Sequence, residues 1–205
     1  MNLWNPKVLK LNNGVIGVGV MQRKIYKAKK IFTGLEVLDD AFMVVEDGKI
    51  VSFEKEVNET FEDLEDAYIA PGLVDTHIHG YKDADVMDGK EGNLDIISRG
   101  IVEMGVTSFL PTTLTASTED LDRACEVIGK EYKDVKGAKV RGIFLEGPYF
   151  TETYKGAQNL NYMSDPSIEE LKKWKDLSDG LVNKIAIAPE RYGVVEFIKQ
   201  AKEIG

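Results

Sequence analysis

Apolar residues follow two rhythms along this chain. Between residues 25 and 70 they come in short β-patterned runs. From Pro71 onward, compact apolar runs alternate with stretches where apolar residues recur every three or four positions. These are the periods of strand and helix.

In the first regime, Lys24–Phe32 mixes polar and apolar residues with a β-branched bias and predicts a strand. Ala41–Glu46 and Lys49–Phe53 flank Asp47-Gly48, the strongest short hairpin signal. Glu54–Asp66 is acidic and unpatterned, and reads as a solvated loop or edge. Tyr68–Ala70 reads as a returning strand.

The second regime opens with a strand over Leu73–His79. Leu94, Ile97, Ile101 and Met104 give a helix over Asn93–Met104, stopped by Gly105. Val106–Pro111 is a second strand, leading into Thr112-Thr113-Leu114-Thr115. Ser117 or Thr118 caps a helix reaching about Tyr132. Val140–Leu145 is a continuous apolar run, typical of a strand covered on both faces. Asp165-Pro166 opens a helix, with Pro at its first position, through Leu171 and Trp174 to Leu177. Lys184–Ala188 is a fourth strand, and Tyr192–Ile204 a fourth helix.

This order predicts an α/β fold, a parallel sheet with right-handed crossovers. Residues 1–70 form an N-terminal extension and small β module. Residues 71–205 form about four βα units of a (β/α)8 TIM-like barrel, half the eight units such a barrel needs. The chemically interesting residues fall at the C-terminal ends of the predicted strands, the face where barrel active sites lie.

Composition narrows the functional classes. The 205 residues allow one large domain or two small ones. A hydrophobic share of 43% with 30% charged residues is that of a soluble globular protein. A net charge of −9 argues against nucleic-acid and anionic-membrane partners. No apolar run approaches the ~20 residues of a membrane span. The one cysteine, Cys125, excludes an intrachain disulfide and fits a reducing, cytoplasmic compartment. It sits in the apolar pattern of a predicted helix, so packing is its expected role. Gly14–Gly19 lacks the context of a signal peptide or a nucleotide loop, and reads as an extension of weak strand character.

The two histidines of the chain, His77 and His79, stand two positions apart near the end of the first barrel strand. Side chains at i and i+2 of a strand share a face, so two imidazoles stand side by side. Imidazole and carboxylate suit zinc, iron, nickel or manganese, and spacing does not choose among them. Asp75, one step behind, is as well suited to structural support as to ligation. Glu146 ends an apolar strand before Gly147-Pro148, where it serves as a third ligand or pairs with a lysine such as Lys155. Glu190, after Ala188-Pro189, reads as a charge favoured by a helix N-terminus. Thr112, Thr113 and Thr115 read as caps.

Pro71-Gly-Leu-Val-Asp-Thr-His-Ile-His-Gly80 resembles the first-strand signature of the amidohydrolase superfamily. Gly105–Thr113, Leu145-Glu-Gly-Pro148, Lys155-Gly-Ala157 and Ala188-Pro-Glu190 together resemble the N-acetylglucosamine-6-phosphate deacetylase family. The resemblance implies a small β-sandwich beside a distorted (β/α)8 barrel. It also implies one or two divalent metals (Zn, Fe, Mn or similar) and hydrolysis of the N-acetyl group of N-acetylglucosamine 6-phosphate. It maps metal ligands onto His77, His79 and Glu146, and substrate contacts onto Ala157 and Gln158. Many members carry His where Gln158 stands, and Gln cannot be charged. The family's remaining metal histidines and its catalytic aspartate lie on later strands, so the general base is expected beyond residue 205. The chain thus reads as the N-terminal half of such an enzyme, which would be a homodimer at full length. Two alternatives stand beside it: another amidohydrolase acting on a cyclic amide or an acetylated amine, and a non-catalytic half barrel.

Overall fold

The computed structural model describes residues 22–205, so the reading of Gly14–Gly19 lies outside the described residues. Contacts divide the chain into two units, one running up to Gly72 and one from Leu73 to Gly205.

The first unit is a sheet of β1 (Arg23–Phe32), β2 (Val37–Glu46), β3 (Lys49–Glu54), β4 (Glu62–Asp63) and β5 (Tyr68–Ile69). β1, β2 and β3 form an antiparallel meander, and β4 and β5 pair in parallel with β1. Asp47 and Gly48 turn the β2–β3 hairpin with φ of 46° and 77°, the left-handed pair that a type I′ turn requires. β2 begins at Val37 rather than Ala41, because its register to β1 runs out to the Phe32–Val37 pair. The Thr33 hydroxyl closes that turn, accepting from the backbone N–H groups of Leu35 and Glu36. Apolar residues bury on both faces of the sheet, with Tyr26, Ala28, Ile31 and Met43 in one cluster and Ile25, Phe42 and Val44 in another. The acidic stretch lies along β1, where Lys27 pairs with Asp63 and Lys29 with Asp66, both at 2.9 Å.

The second unit is a parallel sheet covered by helices. Its strands are β6 (Leu73–Ile78), β9 (Val106–Thr113), β10 (Lys139–Val140), β11 (Ile143–Glu146) and β12 (Val182–Ala186), with a small antiparallel hairpin of β7 (Gly80–Tyr81) and β8 (Ala84–Asp85) after β6. β6, β9, β11 and β12 lie side by side in chain order, all parallel. The helices are α1 (Asn93–Val102), α2 (Thr118–Glu131), α3 (Ile168–Leu177) and α4 (Val194–Glu203). Among the described residues this gives four strand–helix units. Ile97, Phe109, Leu121, Ile143, Leu145 and Trp174 make the core between sheet and helices. Each such side chain contributes about 1.5–3 kcal/mol by burial. Cys125 belongs to the same core. Burial first, and the charge of Asp122 second, push its thiol up to about 12, which suits packing and not reactivity.

The structure corrects several boundaries. The run Val140–Leu145 is not continuous, because Arg141-Gly142 separates β10 from β11. α3 begins at Ile168 and not at Pro166: Ser167 is its N-cap, accepting from the Glu170 N–H at 3.3 Å. β9 extends through Thr112 and Thr113, both fully buried, so these two threonines are strand residues and not caps. The cap of α2 is Ser117, which accepts from the Asp120 N–H. β12 starts earlier than expected, and α4 starts later, after Gly193. The β7–β8 hairpin has no apolar period to announce it; left-handed Lys82 and Asp83 make its turn.

Candidate metal centre

Near its C-terminal end, β6 departs from regular pairing. Its register to β9 shifts between Asp75 and Ile78, a bulge of the kind that re-aims side chains beside active sites. Backbone groups in this stretch take side-chain partners. The His77 N–H donates to Asp75 Oδ1 at 3.0 Å, and the Ile78 N–H to Thr112 Oγ1 at 3.1 Å. The Thr76 carbonyl accepts from Lys184 Nζ at 3.3 Å. Asp75 is therefore a backbone support and lies outside the ligand cluster.

The bulge brings the imidazoles of His77 and His79 together with Nε2 atoms 3.2 Å apart. Glu146, at the end of β11, closes the set: its Oε1 is 3.4 Å from His77 Nε2 and its Oε2 is 3.2 Å from His79 Nε2. Among the described residues this is the cluster of histidines and carboxylates compact enough to hold a metal ion.

One ring of the cluster has its tautomer fixed by a neighbour. His79 Nδ1 lies 3.0 Å from the Thr112 carbonyl oxygen. A carbonyl only accepts, so Nδ1 carries the proton and Nε2 offers its lone pair. That lone pair faces a carboxylate oxygen, which in its ionised form also only accepts. Such an arrangement is relieved by a positive charge between the groups, either a proton or a metal ion. Two nitrogens bound tetrahedrally at ~2.0–2.1 Å are about 3.3 Å apart. The observed separations of 3.2–3.4 Å match that spacing, so the donor set fits a divalent ion.

Glu146 is aimed by the loop that follows it. Gln158 Nε2 donates to Glu146 Oε2 at 3.0 Å, and Gln158 Oε1 accepts from the Thr115 N–H at 2.9 Å. Lys155 does not pair with Glu146. Its ammonium donates to the carbonyls of Gly156 and Gln158 at 3.3 and 3.1 Å. Gly147 cannot be another residue: its φ is +89°, and a Cβ there would lie 2.1 Å from Thr115 Oγ1. Ala157 is exposed in the turn before Gln158. The His77 ring leans edge-on against Phe144, with centroids 5.0 Å apart.

Glu190 is not at a helix N-terminus. It lies in the turn after β12, separated from α4 by Arg191, Tyr192 and Gly193, and accepts from the Thr151 hydroxyl. That bond, then a backbone N–H and the Arg191 charge, holds its carboxyl below the usual carboxylate range. Sequence reasoning missed Thr112 and Lys184, whose contributions pass through backbone atoms. It gave Gln158 a substrate contact and did not foresee the bond to Glu146. The detectable signals were polar Thr112 at the end of the apolar run Phe109–Pro111 and Lys184 ahead of the apolar run Ile185–Ala188.

Two imidazoles and a carboxylate converge at the strand ends of a parallel sheet as a donor set for a divalent metal ion. No family model matches the chain. The chain is 36% identical over 179 residues to the N-acetylglucosamine-6-phosphate deacetylase of Vibrio furnissii, covering 85% of this chain and 45% of that protein. It is 34% identical over 181 residues to the N-acetylgalactosamine-6-phosphate deacetylase of Escherichia coli O157:H7, covering 87% of this chain and 48% of that protein. A solved structure of a mutant N-acetyl-D-glucosamine-6-phosphate deacetylase from Mycobacterium smegmatis, in complex with N-acetyl-D-glucosamine-6-phosphate, superposes with a TM-score of 0.79 at 26% identity. That match covers 89% of this chain and 48% of that one. The chain thus resembles the amino-sugar-phosphate deacetylases over most of its own length, and spans about half the length of the curated relatives it matches.

Proposed function

We propose that the protein containing this sequence hydrolyses the N-acetyl group of N-acetylglucosamine 6-phosphate to glucosamine 6-phosphate and acetate. The convergence of His77, His79 and Glu146 carries the reading, and the resemblance to the deacetylases supplies the substrate. In this reading the parallel sheet is part of a (β/α)8 barrel and the first unit is a small β-sandwich. The protein acts in the cytoplasm as a homodimer, with Ala157 and Gln158 on the substrate side. Among the described residues no helix is long and apolar enough to cross a membrane.

A divalent ion held by these three side chains would lower the pKa of a bound water and polarise the amide carbonyl. The chain's own residues do the rest of what can be derived. Thr112 holds His79 in the tautomer that presents Nε2. Gln158 holds the Glu146 carboxylate toward the pair by donating to its Oε2. The group that takes the water proton and passes it to the leaving amine is, as the resemblance implies, an aspartate on a later strand of the family's barrel.

The second reading keeps the site and changes the substrate to N-acetylgalactosamine 6-phosphate or another acetylated amine, which the similarity to the E. coli protein favours. Acetate release by the intact protein, with zinc, manganese or iron(II) added, tests both. Turnover of N-acetylglucosamine 6-phosphate that His79→Ala and Glu146→Ala abolish supports the first. Preference for the galacto epimer supports the second. No turnover on any acetylated amine overturns both and leaves the non-catalytic alternative.

A further inference from the structure

Lys184 is a cation whose surroundings the site's chemistry does not yet use. It lies on β12 in register with Phe144 of β11, and Phe144 is in turn in register with Thr112 of β9. Register partners project to the same face of a sheet, so Lys184, Phe144 and Thr112 share one face. Lys184 Nζ sits 3.8 Å from the centre of the Phe144 ring, well inside cation–π range. From there it donates to the Thr76 carbonyl in the β6 bulge. Among the described residues no carboxylate lies within ion-pair distance of it. The same Phe144 ring carries the edge of the His77 imidazole.

Lys184 therefore touches His77's support at two places, the ring it leans on and the carbonyl immediately before it in the chain. His79 has a hydrogen bond from its second ring nitrogen to fix it. For His77 the corresponding hold is Phe144 and the bulge, and both are held by Lys184. We infer that Lys184 is a positioning residue for His77: it clamps the β6 bulge to β12 and stiffens the ring against which His77 is set. The inference rests on the metal reading of the site.

The sign of the effect separates this role from that of a bystander charge. A lysine near a metal site repels the ion, so deleting it would tighten binding. Deleting a positioning group weakens binding instead. Zinc affinity by competition with a chromogenic chelator, cobalt(II) absorption, and NOE contacts between the rings of His77 and Phe144 in the zinc-free chain read the outcome. Lys184→Met keeps the apolar stem and removes charge and donor. It is expected to lower zinc affinity about 10–100-fold, the range for loss of an outer-shell partner. It should also alter the cobalt spectrum and weaken the His77–Phe144 contacts, while His79 keeps its own. Lys184→Arg, which retains donor and cation–π contact, should restore all three. Should the Met variant fail to fold, Lys184→Gln, uncharged and one side-chain atom shorter than lysine, takes its place with the same expectations. Zinc binding as tight as wild type or tighter, with unchanged ring contacts, overturns the inference. If the wild-type chain binds no zinc that His79→Ala weakens, the metal reading fails by itself. The ring contacts then still decide for or against Lys184.

Discussion

Two glutamates lie on the C-terminal side of neighbouring parallel strands, Glu146 as the last residue of β11 and Glu190 in the turn after β12, and their circumstances are opposite. Glu146, ahead of Gly147-Pro148, converges on two imidazoles. Glu190, behind Pro189, turns to a threonine hydroxyl. The partner that aims each comes from the same loop after β11: Gln158 for Glu146 and Thr151 for Glu190. A carboxylate's place at a strand end is thus set by the strand pattern. Its direction is set by the donor that the next loop delivers.

The largest expected difference between the two ends is in metal affinity. Glu146→Ala should weaken zinc binding by more than about 100-fold, beyond the ~10–100-fold typical of outer-shell losses. Glu190→Ala should leave it unchanged. Isothermal titration of both variants measures this, and a comparable loss in the Glu190 variant breaks the contrast. The aiming residues should follow in the same order. Gln158→Ala should cost about 10–100-fold in zinc affinity, and Thr151→Ala nothing.

The β12 end has a structural task, so its variants should register in stability. Arg191 donates to the Phe150 carbonyl from Nε at 2.8 Å and Nη2 at 2.6 Å, and pairs through Nη1 with Asp165 at 2.8 Å. Arg191→Ala should destabilise the protein by about 1.5–3 kcal/mol, the range for hydrogen bonds to charged groups. Urea unfolding reads that loss, and zinc affinity should stay as it was.

The smallest effect is a titration. The Thr151 hydroxyl, its own backbone N–H and Arg191 hold the Glu190 carboxyl below its ordinary range. A depressed folded pKa contributes stability above the unfolded value and loses it as pH falls through the folded one. Thr151→Val should move the Glu190 titration back up toward the usual carboxylate range, read by carboxyl-carbon NMR against pH. It should thereby shrink the acid-side loss of stability. An unmoved Glu190 titration would separate that carboxyl from the hydroxyl.

The same contrast shows how much of the molecule was legible in its sequence. The alternation of apolar runs and helical periods carried the four strand–helix units, since period and burial are the same fact seen twice. His77, His79 and Glu146 could be singled out because strand ends gather functional groups on one face. The structure adds that they meet. What escaped was settled by backbone atoms. Thr112 looked like a cap, yet its carbonyl fixes His79 and its hydroxyl takes the Ile78 N–H. Residue type says nothing about a carbonyl's direction. Pro166 read as the first residue of a helix, whereas the Ser167 hydroxyl starts α3 instead. Glu190 read as a helix-end charge because the turn separating it from α4 has no apolar signature.

The central claim is that His77, His79 and Glu146 form one divalent metal site. X-ray absorption at the zinc edge, on the chain loaded with one equivalent of zinc, tests it most directly. The account predicts two imidazole nitrogens at ~2.0–2.1 Å and carboxylate oxygen at ~2.0–2.2 Å, with one imidazole lost in His77→Ala and one in His79→Ala. A zinc shell made of oxygens alone, unchanged in both variants, would contradict it.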